Sequence, residues 1–230
     1  MKFLKERAKG YGLLVGTGLE IGAFEHPAAL PPSCDVSYCD RFSMQEAQCL
    51  FPEVECSKLV EPDYLLDLDA EGLQQFPTGQ QDFVILNHVI EHVVNPLRVV
   101  EELFRVLRRG GKCVIAAPDK TRTFDRERPL TAFCELVQSY EAGVTEVPAS
   151  AYQDIITYIH KELIDQDETV VREHLNRYRE RKEHLHIWTS ESFREFLVSA
   201  LFYLEIEAYP LFEVHAAVND FEYFGVWAKQ

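Results

Sequence analysis

Three features of the sequence predict an α/β fold built on a mostly parallel sheet. Asp82-Phe83-Val84-Ile85-Leu86 and Lys112-Cys113-Val114-Ile115-Ala116-Ala117 are short, nearly continuous apolar runs, the pattern of strands buried on both faces. One helix with clear punctuation lies between them: Asn95 caps it, Pro96 suits its first position, and Gly110 is placed to end it in the left-handed conformation. Strand, helix and strand in succession imply parallel pairing through a right-handed crossover. Ligands of such sheets bind beyond the carboxyl ends of the strands, which here points to Asn87-His88-Val89-Ile90-Glu91-His92.

In chain order, Lys2 to Lys9 is polar and reads as a short entry helix or arm without an evident function. Leu19-Glu20-Ile21-Gly22 reads as a first strand ending at a glycine, and Val36-Ser37-Tyr38-Cys39-Asp40 as a second ending at an acid. A glycine turn and then, about 20 residues on, an acid that can bond a ribose diol is the order of nucleotide-binding sheets. Gly22-Ala23-Phe24-Glu25-His26-Pro27 holds one glycine where a pyrophosphate cradle wants three. Pro27, Pro31 and Pro32 leave little room for a crossover helix, so this turn suits a ligand without phosphate.

Asp63 to Leu66 reads as a third strand, with Asp67-Leu68-Asp69-Ala70-Glu71 in the loop beyond it and Phe76-Pro77-Thr78-Gly79 as a turn. In the central helix Val100, Leu103, Phe104 and Leu107 share one face, and Arg105, Arg108 and Arg109 complement its carboxyl end. From Lys120 the pattern becomes helical, over Thr131 to Glu141, Ser150 to Ile164 and Thr169 to Arg181. Thr189 or Ser190 caps a further helix through Leu201, Leu204 to Tyr209 alternates as a strand, and Glu222 to Ala228 reads as the last one. The expected organisation is one domain over 1–230, with 120–183 as a helical lid insert over the sheet's carboxyl edge.

Composition narrows the partners. The net charge of -15, from 23 basic against 38 acidic residues, argues against nucleic acid or an anionic membrane. With no leader pattern and no apolar stretch of membrane-spanning length, the expected location is the cytoplasm, and the six cysteines read as free thiols.

Taken together these motifs resemble the class I S-adenosylmethionine-dependent methyltransferases, over most of the chain outside the insert. The run from Asp82-Phe83-Val84 through Ile90-Glu91-His92-Val93 to Arg105-Val106-Leu107-Arg108-Arg109-Gly110-Gly111 carries most of that likeness. The resemblance implies a Rossmann-like sheet with an antiparallel last strand, and S-adenosylmethionine as cofactor. It implies that Glu20 and Gly22 face the methionine part, Asp40 the ribose hydroxyls, Asp69 and Ala70 the adenine, and Asn87 the methionine side.

His88-Val89-Ile90-Glu91-His92 matches an inverted zinc-peptidase pattern. That pattern belongs on a long helix, whereas here a fresh helix starts at Asn95-Pro96. A narrower resemblance is to metal-dependent O-methyltransferases, the 2'-O-methyltransferases of small RNA ends and some catechol-type enzymes. They carry an acid or histidine and then Glu-His at this place, and the RNA enzymes add a histidine four residues before Trp-Thr, as in His184-Leu185-His186-Ile187-Trp188-Thr189. By that likeness His88, Glu91, His92 and His184 hold a divalent cation, for which three imidazoles and a carboxylate favour a transition metal. The alternative is that these histidines are structural, and then His92, His186 or Asp125 serves as general base.

The functional expectation is methyl transfer to a small hydroxylated acceptor such as a sugar, catechol or natural product. Two alternatives stay open. One is a non-catalytic binding or scaffold domain, suggested by the sparse glycine loop. The other is methylation of RNA ends, which the acidic balance disfavours.

Overall fold

The computed structural model describes residues 2–148 and 150–230. Its first half contains α1 (Lys2–Tyr11), β1 (Gly16–Ile21), β2 (Cys34–Asp40), α2 (Met44–Leu50), β3 (Tyr64–Leu65), β4 (Gln81–Asn87), α3 (Pro96–Val106) and β5 (Leu107–Pro118). Then follow α4 (Phe133–Glu141), α5 (Gln153–Tyr158), α6 (Glu168–Arg181), α7 (Ser190–Tyr203), β6 (Ala208–Val214), α8 (Ala216–Asn219) and β7 (Glu222–Lys229).

The strands form a seven-stranded sheet in the order β3-β2-β1-β4-β5-β7-β6. From β3 to β5 every pairing is parallel, and β7 runs antiparallel to both β5 and β6. This is the mostly parallel α/β sheet that the strand pattern predicts, with the antiparallel last strand that the methyltransferase resemblance implies. Strand order reverses between β1 and β4, where Ile21 stands beside Leu86, so Gly22 and Asn87 leave the sheet side by side. A crevice opens at such a reversal because the connections on its two sides depart in opposite directions.

Both faces of the sheet are covered, which explains the unbroken apolar runs. Along β4, Val84 and Leu86 point to one core and Phe83 and Ile85 to the other, as strand alternation requires. The first core takes the apolar stripe of α3 (Leu97, Val100, Leu103, Phe104) and α7 (Phe193, Phe196, Leu197). Each such side chain, fully buried, contributes about 1.5–3 kcal/mol. Tyr11 of α1 and Leu14 close the second core. The insert has a small apolar cluster of its own, around Tyr152, Ile155 and Leu175.

Local signals act largely as expected. Asn95 accepts a hydrogen bond from Arg98 N and Pro96 opens α3, while Thr189 caps α7 through Ser192 N. Between Gly22 and Ser33 there is no helix, in keeping with the three prolines.

Three boundaries differ from the sequence reading. Gly110 does take a positive φ of +75°, but it lies within β5. The helix stops at Val106 because Leu107, fully buried, already pairs with Gln81 in the sheet. Arg108 accordingly pairs with Asp82 instead of the helix end. The helix expected over Ser150 to Ile164 breaks after Tyr158, and His160 beyond it hydrogen-bonds Tyr178 of α6 at 2.6 Å. Leu204 to Glu207 is a turn and not strand: Ile206 N bonds back to Leu201 O across Glu205, at φ +54°.

The entry helix is tied to the far end of the sheet. Being antiparallel, β7 starts at the carboxyl edge, opposite Pro118, and sets the fully buried Glu222 there. Arg7 donates to both Glu222 oxygens, at 2.8 and 2.6 Å. Burial would raise the Glu222 pKa, but Arg7 and His88 outweigh it and hold the carboxyl below its usual range. A depressed carboxyl stabilises the fold above its unfolded pKa, and that stability is lost as pH falls through the native value. Arg7→Ala leaves Glu222 with one partner, so it should cost about 3 kcal/mol in urea melts at pH 7. The deficit should shrink below about pH 4, where carboxyls protonate. An unchanged midpoint at pH 7 would refute this role.

Candidate active site

A cavity of about 1320 Å³ lies beyond the carboxyl ends of β1, β2 and β4. Its wall includes Glu20, Gly22, Asp40, Asp69, Asn87, His88 and His92, together with Arg7 and Tyr11 of α1 and Lys182 after α6.

Gly22 sits at φ +72°, and a Cβ there would meet Val89 Cγ2 at 2.4 Å. Glycine is required twice over, by the turn and by the close approach of the β4 loop. Glu20 is 2% exposed and accepts from Ala28 N at 2.9 and 3.1 Å. Burial exceeds the help from Ala28 and Arg7 and pushes its pKa up to about 7. Asp40 accepts from Arg41 N at 2.7 Å and is likewise raised by burial. Asn87 donates to Tyr11 Oη at 2.9 Å, while its own Oδ1 is buried with no hydrogen-bond partner among the described residues.

The acids of the adenine-loop motif are largely committed to the protein. Asp69 accepts from Val94 N at 2.7 Å and from Lys182 Nζ at 2.5 Å, and Asp67 accepts from the same Lys182 at 3.2 Å. Ala70, named with Asp69 from the sequence, is exposed and does not line the cavity. Asp67 and Leu68 line it instead.

The four residues read as a metal cluster all approach Glu91, three of them within one tight group and His88 through its other ring nitrogen. Glu91, His92 and His184 each offer a ligand atom, all within 4.8 Å of one another. His88, in the left-handed region at φ +56°, donates through Nε2 to Glu222 at 2.5 Å and stacks on Phe221. That nitrogen is therefore taken up by the buried ion pair that anchors α1.

Glu91 is 1% exposed, and neither carboxylate oxygen has a hydrogen-bond partner among the described residues. A buried charge left this way needs compensation. Its neighbours are His88 Nδ1 and His92 Nε2, each at 3.7 Å, and His184 Nε2 at 4.0 Å. Both histidines use the opposite nitrogen as a donor: His92 Nδ1 to Lys182 O at 2.5 Å, His184 Nδ1 to Asp125 Oδ2 at 2.6 Å. The Nε2 lone pairs are thereby turned toward Glu91. Burial lowers the His92 pKa; for His184 burial acts the same way, but the Asp125 bond and Glu91 prevail and raise it.

Two residues read as general bases lie elsewhere. Asp125 is 2% exposed, paired with His184 and with Arg128 at 2.8 Å, and outside the cavity wall. His186 also lies off that wall, and burial drives its pKa down to about 4. His92 alone of the three reaches the cavity.

The sequence reading missed the contribution of α1. Phe3, Arg7 and Tyr11 are four residues apart, one face of a helix. An acid opening an otherwise apolar strand, Glu222, signalled that a buried partner was needed. Lys182, which bridges Asp67 and Asp69, carried no such signal.

Residues 16–115 match a family model described as a methyltransferase domain. A protein of Methanocaldococcus jannaschii called uncharacterized is 31% identical over 113 residues, 49% of this chain and 46% of that one. The chain thus spans about half the length of the curated relative it matches. Among solved structures, a Rhodobacter sphaeroides protein provisionally named for Zn-dependent alcohol dehydrogenases superposes with a TM-score of 0.57 at 16% identity, over 98% of this chain and 89% of that one. An S-adenosylmethionine-dependent methyltransferase from Thermotoga maritima gives 0.50 at 15% identity, over 99% and 89%. At these identities what is shared is the fold. The domain match and that fold agree with the class I methyltransferase resemblance of the motifs.

The histidine geometry makes a direct prediction. In metal-free protein, nitrogen-detected NMR should find His184 titrating above about 6.5 and His92 below it. Asp125→Asn should bring His184 down. A raised histidine stabilises the fold below its unfolded pKa and loses that contribution as pH rises through its native value. Equal titration of the two rings would contradict the hydrogen bonds described.

Proposed function

We propose that this chain, with its methyltransferase-domain match over residues 16–115 and its class I methyltransferase fold, transfers a methyl group from S-adenosylmethionine to a hydroxyl of a small acceptor. S-adenosylmethionine, when bound, supplies an electrophilic methyl group. The residues present fit it. The observation that carries the reading is the unpartnered, buried Asn87 Oδ1 beside the Gly22 turn, an acceptor waiting for a donor such as an ammonium group. Glu20 adds a carboxylate on the same wall, Asp40 one placed for a vicinal diol, and Gly22 a backbone that a side chain would obstruct.

On the acceptor side, His92 presents Nε2 while Lys182 O fixes its ring, so a hydroxyl proton has a neutral imidazole to move to. Most of the rate advantage of such a site comes from holding two reactants in line. The insert over 120–183 acts as the lid that excludes water, with Lys182 reaching across to Asp67 and Asp69.

A second reading is favoured by Glu91. Its bare, buried carboxylate and the two Nε2 atoms turned toward it suit a divalent transition metal, held by Glu91, His92 and His184, with His88 Nδ1 near Glu91 and its Nε2 on Glu222. Such a cation lowers the pKa of a coordinated hydroxyl.

Titration calorimetry with S-adenosylhomocysteine tests the cofactor reading. Glu20 must be ionised to attract an ammonium group, and its native pKa is about 7. Affinity should therefore rise from about pH 6 to about pH 8 and then level off. Glu20→Gln should weaken binding about tenfold, worth about 1.4 kcal/mol, and remove the pH dependence. No detectable binding by the wild-type protein would leave the scaffold alternative standing.

A further inference from the structure

We propose that Asp125 is the positioning residue of the Glu91, His92 and His184 site, and that Arg128 and Asp154 extend its hold into the insert. The inference rests on the metal reading above.

Asp125 lies on a short 3-10 turn, Phe124–Glu127, where Thr123 Oγ1 accepts from its backbone N. Its carboxylate is divided between two partners. Oδ2 accepts from His184 Nδ1 at 2.6 Å, and Oδ1 accepts from Arg128 at 2.8 Å. Arg128 is 2% exposed and holds the histidine from a second side, donating to His184 O at 2.9 Å. The same guanidinium donates to Asp154 of α5 at 2.7 and 3.2 Å. The backbone and the ring of His184 are thus fastened to one ion-paired unit.

Two consequences follow for the site. First, the imidazole has two ring positions related by a flip, and only one of them directs Nε2 at Glu91. With Nδ1 on Asp125 and the ring stacked on Phe124 at 5.0 Å between centroids, that orientation is set before any ligand arrives. A partner on the second ring nitrogen is what metal-bound histidines generally have, and its removal weakens metal binding about 10–100-fold. His92 has its own partner in Lys182 O, a backbone atom that substitution cannot delete, so Asp125 is the testable half of the arrangement.

Second, the surroundings are rich in carboxyl groups: Asp125 and Asp154 flank the single Arg128, and Glu91 lies without a hydrogen-bond partner among the described residues beside the two rings. Sequence distance hides this grouping, since Asp125, Asp154 and His184 come from three separate parts of the segment beyond β5.

Cobalt(II) is the probe, because its visible absorption reports ligand geometry without any activity assay. The wild-type chain should bind one Co²⁺, as followed by calorimetry and absorption. Asp125→Asn, which preserves shape and removes the charge, should bind about 10–100-fold more weakly with altered bands. Asp154→Asn changes a partly exposed residue remote from the ligands, and it should shift the bands with a smaller loss of affinity. Circular dichroism establishes that each variant is folded; if Asp125→Asn does not fold, the Asp154→Asn spectrum decides. Tight wild-type binding with unchanged affinity and spectrum in the folded variants would overturn the positioning role and leave the metal reading intact. Failure of the wild type to bind Co²⁺ or Zn²⁺ would instead remove the metal reading, and this inference with it.

Discussion

The reversal of strand order between β1 and β4 is the constraint on which this molecule is built. Right-handed crossovers carry the chain to opposite sides of that junction, so the two strand ends are not roofed by their own connections. Gly22 and Asn87 emerge there as neighbours, and everything assigned to the cavity is arranged around them. The same junction explains why Gly22 has no tolerance for a side chain: the β4 loop, through Val89, passes directly over it.

The second organising element is the antiparallel β7. A parallel strand in that position would begin at the opposite edge of the sheet. Running backwards, β7 brings Glu222 to the carboxyl edge, where it draws in Arg7 of α1 and His88 of the β4 loop. One buried carboxylate thereby anchors the entry helix, places Tyr11 against Asn87, and holds His88 by Nε2 while its Nδ1 stays near Glu91. Breaking a buried pair of this type is far costlier than never having formed it, so the three partners form an interdependent unit.

Buried acids in the site fall into two groups. Asp69, Asp125 and Glu222 each have strong donors and are satisfied within the protein. Glu20 and Glu91 are not balanced in the same way: Glu20 meets a single backbone N–H, and Glu91 meets no donor among the described residues. Polar groups left short of partners in an otherwise well-satisfied interior are where a ligand would be expected to complete the structure.

The sequence alone determined the α/β class, the central strand-helix-strand unit with its Asn95-Pro96 cap, and the loops at which a ligand is met. These rest on periodicity, turn chemistry and the local order of short motifs, all written within about twenty residues of one another. It also brought forward Glu20, Gly22, Asn87, Glu91, His92 and His184. Tertiary structure alone decided how those residues divide. His88 and His92 look equivalent in the chain, yet the Nε2 of His88 goes to Glu222 while that of His92 faces Glu91. Asp125 reads as a free base in a polar loop, yet it is spent on His184 and Arg128. Ala70 reads as part of the wall beside Asp69, yet it is exposed. The physical reason is that a side chain's role is set by the partner it meets, and the partners that decide His88 and Asp125, Glu222 and His184, lie tens of residues away, carried in by β7 and by the insert.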